Sequence, residues 1–181
     1  MHRRTTIAGA CALALASLCL SFDAAAAAGA VTQRGYDANV SGADLNETAL
    51  TLSNVAPASF GRLFSLPVDG RLYAQPLYLP GITIAGKGTH NVLYVATMSN
   101  KVYAFDADVA GPPLWSLDLA AVVPGSSPVP IADLVGTNSY NIAGPVGIEG
   151  TPVIDPATAT LYLVSNTRER DLPVFLSLIH I

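Results

Sequence analysis

Few residues of this 181-residue chain are of types that do chemistry, and their spacing gathers none of them into a catalytic set. Both cysteines, Cys11 and Cys19, fall in an apolar leader, so a chain trimmed after Ala28 has no thiol nucleophile, no disulfide and no thiolate metal ligand. No serine stands in a G-x-S-x-G elbow, the strained turn that exposes a hydroxyl for acyl transfer. That leaves His90 and Glu149. His90 sits where a loop enters an apolar run. An imidazole there is either a ligand or base, or a side chain bonded to nearby backbone. Glu149 lies between Ile148 and Gly150 at a strand entrance, where a carboxylate can hold a cation or cap a turn.

The elements that must position these residues centre on residues 91–108. Val92, Tyr94 and Ala96 alternate with Leu93, Val95 and Thr97. After the turn signal Ser99-Asn100, Val102, Ala104 and Asp106 alternate with Tyr103 and Phe105. Both faces of this expected hairpin are largely apolar, which suits a strand pair sandwiched between sheets. Further short strands are expected over residues 60–66, 72–79, 114–119, 151–154 and 160–164. Pro76 and Pro80 imply irregular pairing in the second of these. Residues 81–90 read as a loop with Gly86-Lys87-Gly88 at its tip, and residues 120–150 as a long connection rich in Pro, Gly, Ser and Asn. The fold class expected is all-β.

Residues 1–30 have the form of a secretory leader, with Arg3 and Arg4 before an apolar run and alanines at its end. They place the protein outside the cytoplasm: secreted, periplasmic or at the cell surface. No membrane span is expected after its removal. Residues 31–59 then read as an extended lead-in. Removing Arg3 and Arg4 from nine basic residues and Asp23 from thirteen acidic ones leaves seven against twelve, a net charge of about −5. That balance argues against nucleic acid or anionic lipid as the main partner. Charged residues are only 12% of the chain, too few for a disordered protein.

Two segments echo each other. Gln75-Pro76-Leu77-Tyr78 followed by Val92-Leu93-Tyr94-Val95 matches Thr151-Pro152-Val153-Ile154 followed by Thr160-Leu161-Tyr162-Leu163, at offsets of 76 residues and then 68. Repeats of this kind stack so that each buries its neighbour's face. Within the first copy, residues 104–115, AFDADVAGPPLW, resemble the tryptophan-docking motif of quinoprotein-type β-propellers. Ala104, Asp106 and Trp115 hold the expected spacing, while Val109-Ala110 replaces the usual Thr-Gly. With LTLSNVAPASFGRLFSLPVDGRLYAQPLYLPG, GKGTHNVLYVATMSNKVYAFDAD and VGIEGTPVIDPATATLYLV, roughly three quarters of the chain is similar to secreted pyrroloquinoline-quinone-like propeller repeat proteins.

The resemblance implies a ring of four-stranded blades, of which residues 60–170 would supply one complete and one partial blade. The chain is then an N-terminal fragment of a propeller, and the dissimilar tail 171–181 reads as a product of truncation, or else as an apolar closing strand. It also implies a tryptophan-docking role for Ala104, Asp106 and Trp115, and makes Glu149 the candidate for cofactor contact. The function expected is a binding or scaffold module for an unidentified surface or small-molecule ligand. The alternative is a dehydrogenase using pyrroloquinoline quinone with calcium, its active site in further blades.

Overall fold

Alternation at a period of two on both sides of Ser99-Asn100 makes the central hairpin of a four-stranded antiparallel sheet. The computed structural model describes residues 29–45, 47–122, 124–135, 142–169 and 172–180, and side chains throughout these except at 135 and 172–180. All but the last two residues of the expected leader lie outside the described residues. Strands β1 (Leu77–Ile84), β2 (Gly88–Ala96), β3 (Lys101–Asp106) and β4 (Trp115–Asp118) pair in chain order as a meander. Across β2 and β3, Val92 faces Asp106, Tyr94 faces Ala104, and Ala96 faces Val102. Asn100 closes the turn at φ 57°, a left-handed conformation that asparagine tolerates better than most residues.

Strand β1 differs from expectation at both ends. It begins at Leu77 and runs on through Pro80, whose missing N–H is absorbed by a register shift between Leu79 and Ile82. Gly81, at φ 67°, gives its own N–H to the Asn91 side chain (3.1 Å). The loop expected at 81–90 therefore contracts to a tight turn at Gly86. Residues 60–66, expected as a strand, form no ladder. They belong to an extended strap in which Phe64, Leu66 and Val68 are half-buried and line a groove with Leu93, Val95 and Phe105. The strap is tied to the hairpin by Asp69 N–H to the Tyr103 hydroxyl (3.1 Å) and Met98 N–H to the Arg71 carbonyl (2.9 Å).

The connection after β4 carries more structure than its composition suggested: α1 (Leu119–Val122), β5 (Ser126–Pro128) and α2 (Ile131–Val135). A second antiparallel sheet follows, built from β6 (Val153–Asp155), β7 (Thr160–Glu169) and β8 (Leu172–His180). β5 pairs with the far end of β7, on the side that β6 occupies at its near end. Asp155 fixes the β6–β7 turn by accepting from the Ala157 N–H (2.9 Å) and the Thr158 hydroxyl (3.0 Å). Most of the dissimilar tail is thus a nine-residue strand paired along β7.

The two sheets repeat one register. Leu77 pairs with Tyr94 as Val153 pairs with Tyr162; Tyr78 with Leu93 as Ile154 with Leu161; Leu79 with Val92 as Asp155 with Thr160. Equivalent residues then meet different surroundings. Ile154, Leu161 and Leu163 turn toward the first sheet and join Leu77, Leu79, Val92, Tyr94, Ala96, Val102 and Ala104 in one buried cluster. On the outer side Val153, Tyr162 and Val164 are 47%, 39% and 41% exposed, whereas their equivalents Leu77, Tyr94 and Ala96 are buried. Each buried aliphatic chain contributes about 1.5–3 kcal/mol by leaving water, so this seam holds the two units together. The result is an all-β partial propeller, two blade-like sheets stacked face to face.

The lead-in is wedged between the sheets. Val31 exchanges two backbone hydrogen bonds with Tyr78 on β1 (2.8 and 2.9 Å), and the next residue, Thr32, accepts from Ile154 N–H on β6 (2.8 Å). One short segment therefore pairs with β1 of the first sheet and β6 of the second.

Candidate functional site

Ala104 and Trp115 are register partners on β3 and β4, and Leu114 N–H bonds to the Ala104 carbonyl (2.7 Å). The small Ala104 side chain leaves room on this face, and the half-buried Trp115 ring lies against Tyr94, centroids 6.0 Å apart and tilted by 53°. Trp115 shares its surroundings with Ile82, Ile84, Ala159 and Leu161, so the indole sits at the seam between the sheets. Asp106 ends β3. Its Oδ1 accepts from the Asp108 N–H (2.8 Å) and its Oδ2 meets His90 Nδ1 (2.7 Å). These contacts hold its carboxyl below the ordinary carboxylate range, the Asp108 amide first and His90 second.

His90 is fully engaged. Its Nε2 faces the Lys87 carbonyl (2.8 Å) while Nδ1 faces Asp106. Two oxygen acceptors on opposite sides of the ring favour the imidazolium, which has a hydrogen on each nitrogen. The histidine is accordingly pushed above its usual range, by the Lys87 carbonyl first and Asp106 next. A ring with both nitrogens committed is placed to brace the β1–β2 turn against the end of β3.

Glu149 lies elsewhere, in a cleft of about 490 Å³ between the strand entrances of the two sheets, with Arg34, Tyr73, Gln75, Gly150 and Thr151. The repeat explains the convergence: Gln75 and Thr151, 76 residues apart, are equivalent positions, and the Gln75 N–H donates to Thr151 Oγ1 (3.0 Å). Gln75 Oε1 accepts from Gly35 N–H (3.0 Å), which fixes the lead-in beside it. Tyr73 Oη accepts from Ala143 N–H (3.1 Å). Arg34 and Glu149 take part in no ion pair among the described residues.

A calcium ion takes roughly 6–8 oxygen ligands. The cleft supplies one carboxylate, and among the described residues no group of three or more His, Cys, Asp or Glu side chains is placed to hold a metal. The described residues therefore do not fit a calcium–quinone centre.

A third cluster escaped the sequence reading. Buried Asn100 donates from Nδ2 to the Asn166 carbonyl (2.8 Å) and accepts at Oδ1 from the Ser165 hydroxyl (2.8 Å). Asn166 in turn reaches the Gly147 carbonyl through its side chain (2.9 Å) and its backbone N–H (3.2 Å). This network bolts the β2–β3 turn to β7. The available signal was Asn100 as a turn asparagine, but its partners 65 and 66 residues away left no local trace.

The chain matches no family model, no curated protein and no solved structure. The resemblance drawn from its motifs accordingly rests on those residues alone. Among the described residues no helix is long and apolar enough to cross a membrane.

Proposed function

We propose that this chain is part of a secreted β-propeller of the pyrroloquinoline-quinone-like repeat kind, working as a binding or scaffold module at the cell surface or in the periplasm. The observation that carries the reading is the shared register of the two sheets at offsets of 76 and 68 residues. A unit that buries one face on its predecessor and leaves the equivalent opposite face open is built to stack again. The exposed Val153, Tyr162 and Val164 would then be covered by a following blade. The export leader and the lack of cysteine after it are compatible with this location. The cleft at the junction of the first strands supplies a place where such a module binds.

Two measurements test this. The full chain expressed with its leader should appear outside the cytoplasm, with a mature start near residue 29; retention as the uncleaved form would overturn the location. Titration of the protein with pyrroloquinoline quinone and calcium should leave the quinone spectrum unchanged. A saturable complex that reduces dye with alcohols or sugars would replace the scaffold reading with the dehydrogenase one.

A further inference from the structure

We propose that the cleft between the two strand entrances binds a small zwitterion of the α-amino-acid class. The inference deepens the binding-module reading and rests on it for the premise that the cleft works without a cofactor. Its size, about 490 Å³, falls within the range of small-molecule sites. Its walls come from three parts of the chain: Arg34 from the lead-in, Tyr73 and Gln75 before β1, and Glu149 and Thr151 before β6.

These walls are braced before any ligand arrives. Tyr73 is held by Ala143, and Gln75 by both Gly35 and Thr151. With Oε1 and the backbone N–H of Gln75 engaged, its side-chain NH₂ has no hydrogen-bond partner among the described residues. The charges are the selective feature. Arg34 and Glu149 are exposed in the same cleft, carry opposite signs and are not paired with each other or with another described residue. A ligand with one charge is attracted by one of them and repelled by the other, while a ligand with both signs satisfies the two together. Guanidinium takes a carboxylate through paired N–H donors, Gln75 adds a further donor, and Glu149 accepts an ammonium. The ring of Tyr73 offers an apolar wall for the ligand's side chain. Among the described residues, the groove under the strap, the gap beside Trp115 and the hollow along Val153, Tyr162 and Val164 are lined chiefly by apolar side chains and lack this pairing.

The test is calorimetric titration of the full chain at neutral pH with glycine, L-serine, L-leucine, L-lysine and L-aspartate. The N-acetyl and methyl-ester forms of whichever member binds are titrated beside it. Saturable binding is expected, weakened about tenfold or more by blocking either end, since a charge-assisted hydrogen bond is lost each time. Arg34→Gln should erase the discrimination against the methyl ester, and Glu149→Gln the discrimination against the N-acetyl form. Both variants should melt like the parent. No saturable heat from cooperatively melting protein overturns the inference, as does binding that neither variant changes or that both weaken uniformly for every ligand form. Quinone with calcium is titrated in parallel. If neither ligand type binds, the zwitterion site falls while the scaffold reading stands; if quinone alone binds, both fall.

Discussion

Replacing Asn100 with alanine removes the bolt between the two sheets, and its cost can be worked from the geometry. Asn100 is 1% exposed and sits at φ 57°. The substitution strands the Ser165 hydroxyl, itself buried, and the Asn166 carbonyl. Leaving a buried polar group unpaired costs about 1–3 kcal/mol. Alanine in the left-handed region adds about 1–2 kcal/mol. With both groups stranded these sum to a loss of about 3–8 kcal/mol, a large share of a typical domain's 5–15 kcal/mol. At about 2–4 °C per kcal/mol for a chain of this size, the melting temperature should fall by at least about 6 °C and by up to about 30 °C. Urea and thermal unfolding followed by circular dichroism measure both. Asn100→Gly removes the same hydrogen bonds without the backbone strain, so it should recover about 1 kcal/mol of the loss. Ser165→Ala combined with Asn100→Ala should show a coupling of about 1 kcal/mol or more, as expected for partners in one network. A loss below about 1 kcal/mol for Asn100→Ala, or strict additivity in the cycle, would refute the network as the fastening between the sheets.

Other perturbations bear on neighbouring parts of the account. Gly147→Ala drives a Cβ into both Asn100 Oδ1 and the Met98 carbonyl. It should destabilise by about 2–4 kcal/mol in urea unfolding, while Gly61→Ala, with nothing within 4 Å, should stay within about 0.5 kcal/mol. Trp115→Ala uncovers Tyr94 and part of the seam and should cost about 2–3 kcal/mol, with loss of the tryptophan contribution to the near-ultraviolet circular dichroism spectrum. His90 is raised above its ordinary value near 6.5, so its contribution is fully present below that pH and is lost as pH climbs through the raised folded value. Melting temperature should fall on the alkaline side of 6.5, and His90→Gln should flatten that dependence. Asp106 is lowered, so its contribution persists to acid pH and disappears only as pH falls through its depressed folded value.

Much of the first sheet was legible because its information is local. Alternation from Val92 to Phe105 and an asparagine at the turn specify a hairpin, and the two faces of that hairpin are those of the structure. Of the triad Ala104, Asp106 and Trp115, Ala104 and Trp115 are register partners, while Asp106 turns to the Asp108 amide and His90. The echo marked Gln75 and Thr151 as equivalent positions, and in the structure the Gln75 N–H donates to Thr151 Oγ1. What stayed hidden depends on distant partners. The continuation of β1 through Pro80 needs the bulge and the Asn91 side chain to satisfy Gly81. The strap at residues 60–72 has strand-like alternation but finds a sheet face rather than a ladder. β5 is three residues long, and only the length of β7 gives it a partner. Glu149 was singled out from its place before a strand, yet Arg34, the opposite charge in its cleft, comes from a turn-rich lead-in with no periodicity. For His90 the sequence offered a ligand or a side chain bonded to nearby backbone, and the folded turn realises the second, bringing the Lys87 carbonyl and the Asp106 carboxylate to opposite sides of the ring.

The central claim is that the two sheets are successive units of one repeat, the second burying Ile154, Leu161 and Leu163 on the first while Val153 and Val164 face outward. Methyl-resolved nuclear Overhauser spectroscopy on the isotope-labelled full chain reads this directly. Cross-peaks should connect Ile154, Leu161 and Leu163 with the set Leu77, Leu79, Val92 and Val102, and should be missing from Val153 and Val164 to that set. Cross-peaks from Val153 or Val164 instead would mean that β6 and β7 present the opposite face, and the shared register would not describe how the units stack.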